Sequence, residues 1–319
     1  MKYGTVPGIA LPVSRVVMGT MIVTAKEMDR SLALLDAAVA EGYNAIDTAH
    51  GYNLGDSERA IGRWLQERQC RNKVVIITTG CHPNGDRARV TPFDLAADLH
   101  DSLARLKTDS VDLYMLHRDN PDVPVGEIVD ALNEHLRAGR IHAFAGSNWT
   151  HERLAEANAW AQAHGRTGFA AGSPNYSLAV AFETPWAGCM AVRSPLTPGA
   201  EEWYRRSGTP LFAWSSLARG LFSGRVDRSN FEQLMDSGSR RAWAHEDNFR
   251  RLDRATLLAK EKGCTVAQMA LAWVLNRPLN VFALTGAASR EECRANAAAL
   301  DIPLSEREMD WLDLLSDER

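Results

Sequence analysis

Several kinds of segment are missing from this chain. No window holds about 18 uninterrupted apolar residues, so no membrane-spanning helix is expected. The opening stretch, MKYGTVPGIALPVSRVV, lacks the apolar centre of a signal peptide, so export is not expected either. Cysteine is sparse: Cys70, Cys81, Cys189, Cys264 and Cys293 are odd in number, scattered and without CxxC spacing. They suggest neither a disulfide framework nor a thiolate metal site, and a reduced cytoplasmic protein fits best. Charge of one sign is lacking too. A net charge of −4 gives no reason to expect nucleic acid or an anionic membrane as partner. Lysine is scarce, confined to Lys2, Lys26, Lys73, Lys107, Lys260 and Lys262.

What is present is ordinary for a globular protein: 319 residues, 45% hydrophobic and 24% charged. Length alone suggests about two domains, but barrels of alternating strands and helices reach this size as one. Short β-branched runs alternate with helical patterns throughout. The predicted strands are Val16–Thr20, Ala45–Thr48, Val74–Thr78, Val111–Leu116, Ile141–Gly146, Gly168–Ala171, Pro210–Trp214 and Val281–Thr285. Between them, DRSLALLDAAVAEG sets Leu32, Leu35 and Val39 on one stripe, and Thr91-Pro92 reads as an N-cap followed by the first helical residue. Strands separated by helices imply a parallel sheet with right-handed crossovers. Eight such units predict an α/β protein, a (β/α)8 TIM barrel forming one domain over residues 1–319. Long loops are expected at its C-terminal face, over Pro174–Thr209 and Gly224–Asn248.

In such a barrel the strand ends supply the chemistry. In order they offer Gly19-Thr20-Met21, Asp47, Thr79, His117, Ser147-Asn148, Ser173, Trp214-Ser215 and Gly286. Each has a plain alternative when taken alone. Asp47-Thr48 suits a turn cap, Tyr52 a half-buried loop aromatic, His117 a satisfied core histidine and Trp214 core packing. Trp149 and Trp186 suit either a substrate pocket or packing, whereas Trp64, Trp160 and Trp273 fall on helix faces. His82, His100 and His135 have no acidic or thiol partner at metal-ligand spacing, so no metal is predicted.

Taken together the segments are more specific. NAIDTAHGYNLGDSERAIGRWL (44–65) resembles the aldo-keto reductase signature, in which an acidic strand end precedes a tyrosine and a Ser-Glu pair opens a helix. DLYMLHRDNP (112–121), AFAGSNW (143–149), FAWSSLARGLFSGR (212–225) and LTGAASREECRAN (284–296) follow in the family's order, so the resemblance covers almost the whole chain. It lies near the bacterial aryl-alcohol dehydrogenase-like or sugar-carbonyl branch. The resemblance implies a barrel that reduces aldehydes, ketones or keto-sugars to alcohols with NAD(P)H. Tyr52 would be proton donor, His117 would orient the carbonyl and Asp47 would hold a cation beside the tyrosine. It also implies that the cofactor is bound by Gly19, Thr20, Met21, Asp47, Ser147, Asn148, Ser173, Trp214, Ser215, Leu217, Arg219, Gly220, Arg225, Gly286, Ala288, Glu292 and Asn296. Arg225, with Arg290 and Arg294, favours the 2′-phosphate of NADPH; Glu292 opposes a phosphate and keeps NADH as competitor. The partner expected is a small carbonyl or alcohol substrate.

One position departs from that pattern. The resemblance demands a lysine at the end of the third strand, and VVIITTGCHP puts Thr79 there. Lys73 opens the same strand, roughly 20 Å from its end at about 3.3 Å per residue, and lies at the wrong mouth of the barrel. The expectation is a reductase scaffold with weakened proton transfer. The alternative is a nicotinamide-nucleotide-binding sensor or regulatory subunit with little catalysis.

Overall fold

The computed structural model describes residues 1–319. A short antiparallel pair, β1 (Tyr3–Gly4) and β2 (Val13–Ser14), precedes eight further strands. These are β3 (Val16–Gly19), β4 (Ala45–Ala49), β5 (Val75–Gly80), β6 (Val111–Leu116), β7 (Ile141–Ser147), β8 (Ala171–Ser173), β9 (Leu211–Ala213) and β10 (Val281–Thr285). They follow one another in the order of a closed barrel, so the fold class is the expected (β/α)8 barrel. The chain packs as two compact units, Met1–Ser173 with Gly286–Cys293, and Pro174–Thr285 with Arg294–Arg319.

The first unit carries β1–β8 and the helices α1 (Met28–Ala40), α2 (Asp56–Arg68), α3 (Pro92–Leu106), α4 (Val125–Arg137) and α5 (His151–Ala163). Every residue of β4, β5 and β6 is buried, as strands covered on both faces require. Helix α3 starts as its sequence dictates: Thr91 accepts from the Asp94 N–H and Pro92 stands in the first turn, where its missing N–H costs nothing. Thr150 caps α5 by accepting from Arg153 N. One buried carboxylate ties α2 to both α3 and β5 here. Glu58, fully buried on α2, accepts from Thr78 Oγ1 at 2.6 Å and from Arg105 Nη1 at 3.2 Å.

The second unit holds β9, β10 and the helices α6 (Ala200–Ser207), α7 (Phe231–Leu234), α8 (Ser237–Trp243), α9 (Glu246–Glu261) and α10 (Val266–Asn276). Helix α11 (Arg290–Ala298) begins in the first unit, and α12 (Glu306–Leu312) closes the chain. Its core gathers Tyr176, Phe222, Trp243 and Trp273. Capping boxes start α10 (Thr265, Gln268) and α12 (Ser305, Glu308). No helix is long and apolar enough to cross a membrane.

Three expectations shift. The third strand runs to Gly80, so Thr79 lies inside it, paired with Ala49 and Met115, rather than beyond it. The sixth strand is Ala171–Ser173 instead of Gly168–Ala171. Its small residues carry no β-branched signal, and pairing with Ala145–Ser147 decides their conformation. The segments read as long loops contain α6, α7 and α8: left-handed Gly199 and Gly208 bracket α6, and Asp236 caps α8 through Ser239 N.

Candidate active site

The chemistry-bearing residues of the first unit sit at the C-terminal ends of its strands. Asp47 is 4% exposed in β4. Burial alone pushes its pKa up to about 8, with no cation or hydrogen bond acting against it. The Asp47 backbone carbonyl accepts from both the N–H and the hydroxyl of Thr20, at 3.1 and 2.8 Å. Thr20 Oγ1 also lies 2.9 Å from Ser57 Oγ, which is 3.0 Å from Thr48 Oγ1. This sealed hydroxyl cluster locks the ends of β3 and β4 to the start of α2. The Thr20 side chain is buried and its hydroxyl is committed to this cluster.

Tyr52 follows on a tight loop. Asn53 and Leu54 adopt left-handed backbone at φ 50° and 56°. Asn53 Nδ2 donates to Met21 O at 2.9 Å and to Val23 O at 3.1 Å, stapling the loop after β3 to the loop that carries Tyr52. Gly19 ends β3, and Met21 is exposed beside that staple.

His117 leaves β6, and its N–H donates to Gly80 O at 2.8 Å. The ring stands edge-on to Tyr52, centroids 6.4 Å apart at 77°. Its Nδ1 is buried without a partner. Burial, followed by His82 and Arg118, lowers the His117 pKa to about 3, so the imidazole is neutral at ordinary pH. Beside it lies His82, centroids 4.6 Å apart at 88°. The sequence reading passed over His82, weighing it only as a metal ligand. Its one signal was a place three residues after Thr79, where β5 has just ended.

Thr79 itself is 7% exposed and its backbone carbonyl accepts from His50 N at 2.9 Å. Gly80 after it has a specific task, since a Cβ there would meet Tyr114 Oη at 2.0 Å.

Next around the strand ends, Asn148 Nδ2 donates to His117 O at 3.1 Å and to Ser147 Oγ at 3.2 Å, and Ser147 Oγ donates to Ser173 O at 3.0 Å. All three residues are nearly buried, with Asn148 at φ 60°. Trp149, read as a pocket candidate, is a core residue. It is fully buried, 4.7 Å from Phe169, and its indole N–H donates to Arg118 O. Gly286 stands in open space, with nothing within 4 Å of an added Cβ. Glu292 Oε2 accepts from Ala288 N at 2.8 Å, and Arg290 pairs with Glu41 at 2.7 Å. Ala288 and Arg290 line a cavity of about 600 Å³ with Arg30, Leu34 and Asp36 of α1.

In the second unit, Trp214 follows β9 with its indole N–H buried and unpartnered. Its ring lies 6.2 Å from that of Trp186, over which Arg219 sits at 5.2 Å. The segment Ser215–Gly220, which includes Leu217, turns back through left-handed Ser215, Ala218, Arg219 and Gly220 (φ 49°, 47°, 54° and 99°). The turn closes on itself: Ala218 N–H donates to Ser215 O at 2.8 Å and Gly220 N–H to Leu217 O at 3.0 Å. Arg225 is exposed just beyond, and Asn296 lies on α11. Within this unit, the unpartnered indole beside a partly exposed ring suits stacking of a flat aromatic group.

Comparison with known proteins places this geometry. The model described as "Aldo/keto reductase family" matches residues 15–317. An oxidoreductase of Bacillus subtilis, YrpG, is 30% identical over 320 residues, covering 95% of this chain and 92% of that protein. A probable voltage-gated potassium channel subunit beta of Oryza sativa is 28% identical, covering 95% and 92%. Among solved structures, the thermostable aldo-keto reductase Tm1743, in complex with the inhibitor epalrestat, superposes with a TM-score of 0.75. It is 26% identical, over 99% of this chain and 100% of that one.

Proposed function

The chain belongs to the aldo/keto reductase family, and we propose that it is an NADPH-dependent oxidoreductase that reduces an aldehyde, ketone or keto-sugar to an alcohol. The observation that carries this reading is the meeting of the Tyr52 and His117 rings at the strand ends, with the buried His117 Nδ1 unpartnered.

When bound, the reduced nicotinamide supplies hydride to the carbonyl carbon. The chain's own residues manage the oxygen. Negative charge grows there as the bond forms, and the Tyr52 hydroxyl donates its proton to it. Neutral His117 orients the carbonyl by hydrogen bonding and takes no proton, consistent with its depressed pKa. Ser147, Asn148 and Ser173 would hold the carboxamide, Trp214 would offer a face for the ring, and the turn from Ser215 to Gly220 would take the pyrophosphate. Arg225 would meet the 2′-phosphate. Arg290 is already engaged by Glu41, which narrows the phosphate contacts, and NADH remains the competing cofactor.

A phenol has a pKa of about 10, so it is a poor donor unless a cation favours its anion. Thr79 provides none, and Asp47, raised to about 8, is mostly protonated at neutral pH. Catalysis is therefore weakened, by up to the roughly 10²–10⁴-fold that acid–base assistance is worth. A second reading, a nicotinamide-nucleotide-binding sensor or regulatory subunit, draws on Thr79 and on the relative named as a channel subunit. The five free cysteines suit a reducing compartment, and we place the chain in the cytoplasm.

The test is NADPH consumption with a broad aldehyde panel. Turnover that falls at least about tenfold in Tyr52→Phe supports the reductase. Tight cofactor binding without turnover, in this chain and in Thr79→Lys, supports the sensor and overturns the reductase.

A further inference from the structure

The loop that follows β5 carries an unassigned histidine to the side of His117. His82 is exposed to solvent, while its ring meets the His117 ring edge to face at 4.6 Å. His117 in turn meets Tyr52 at 6.4 Å. Three titratable rings thus run in sequence from solvent to the proposed proton donor.

The contact is built rather than incidental. Cys81, at φ 61°, turns the chain sharply after Gly80. Its N–H donates to Asp98 Oδ2 at 2.8 Å, and Arg89 grips the same carboxylate at 2.5 Å. Asn84 Oδ1 closes the loop by accepting from Asp86 N and Arg87 N, at 3.0 and 2.9 Å. His82 Nδ1 lies 2.8 Å from Pro83 O. A carbonyl only accepts, so Nδ1 carries the hydrogen and Nε2 is the nitrogen that takes up a proton.

The surrounding charges leave this role open. Lys73 is at the far end of β5, and Thr79 is neutral. Arg118 is permanently charged, but its Nη1 donates back to His117 O at 2.8 Å. Asp98 is taken up by Arg89 and the Cys81 N–H, and His50 leans on Asp98 and Asp101 at 3.7 and 3.2 Å. Asp47 is buried without a cation acting on it. His117 stays neutral and cannot carry the charge itself.

We infer that protonated His82, acting across the His117 ring, supplies the switchable positive charge that the third strand end lacks. His82 is thus a positioning residue for carbonyl reduction. This rests on the reductase reading above. No proton leaves His82 in the reaction: Tyr52 gives the proton to the oxygen, and the imidazolium beside His117 favours the negative charge that both face. A unit charge several Å away at a solvent-exposed site is worth roughly threefold in rate. The effect is present when His82 carries its second ring proton and absent when it does not.

The experiment is kcat against pH from 5 to 8, with saturating NADPH and 4-nitrobenzaldehyde as probe, for the full chain and for His82→Gln and His82→Lys. Thermal melts of each confirm folding. The expected result is a fall of about threefold across the range in the parent. His82→Gln is then flat at the parent's pH 8 rate, and His82→Lys is flat at its pH 5 rate. A purely structural His82 would not separate the two variants. A folded His82→Gln that keeps the parent's decline overturns the inference and leaves the reductase reading standing. Absence of turnover in both the parent and Thr79→Lys at every pH overturns both.

Discussion

Asp47 and Thr79 are buried on adjacent strands, 4% and 7% exposed, in a register that pairs Ala49 with Thr79 and Asp47 with Ile77. Side chains two residues apart on a strand share a face, so both residues belong to the same side of the sheet. Nothing positive offsets the burial of the carboxyl group, and its pKa rises to about 8.

That rise sets a pH dependence of stability. Folded Asp47 keeps a proton that the unfolded chain gives up near 3.8, so its contribution is lost as pH rises toward 8. His117, lowered to about 3 from 6.5, works the other way: the unfolded chain binds the extra proton, and stability grows with pH up to 6.5. The two offset one another between roughly pH 4 and 6.5, and Asp47 acts alone from there to about 8. In that upper window the parent should lose stability relative to Asp47→Asn with a slope approaching about 1.4 kcal/mol per pH unit. Urea midpoints of the two proteins at pH 6.5, 7 and 8 measure it. Parallel curves would contradict the burial argument.

Asn53 pins the Tyr52 loop through two hydrogen bonds while tolerating a left-handed backbone. Asn53→Ala removes both bonds and strains the backbone, and should cost about 1–2 kcal/mol of stability. Turnover should fall with it, because Tyr52 is adjacent. Asn53→Gly relieves the strain but not the lost bonds, so its activity should stay low as its melting temperature recovers in part. Full activity in Asn53→Ala would show that the staple does not position Tyr52.

Cofactor choice hangs on few charges, since Arg290 is paired with Glu41 and Glu292 is spent on Ala288 N. Arg225→Ala should weaken NADPH binding about tenfold, by the loss of one charge-assisted phosphate contact, and leave NADH unchanged. Competitive titration by cofactor fluorescence reads both. Tighter NADH binding in the parent would reverse the assignment.

Much of this was legible in the sequence, for local reasons. The strand–helix alternation and the Thr91-Pro92 helix start rest on residues read within one element. What escaped depends on distant neighbours. Ala171–Ser173 is a strand because of what pairs with it, not because of its own small residues. Trp149 is core because Phe169 and the Arg118 carbonyl enclose it. The place of His82 beside His117 needs the turn at Cys81, a residue whose left-handed backbone no propensity predicts. Thr20 is adjacent to a strand end, as expected, yet its hydroxyl is claimed by Asp47 O and Ser57.

The most direct test is to restore the cation. Thr79→Lys places an ammonium on the same face as Asp47, where it draws the carboxyl back to its ionised form and makes Tyr52 a better acid. Steady-state turnover of NADPH with a good aldehyde substrate should rise at least about tenfold over the parent, below even the low end of what acid–base assistance supplies. A folded, cofactor-binding Thr79→Lys with turnover no higher than the parent's would contradict the account.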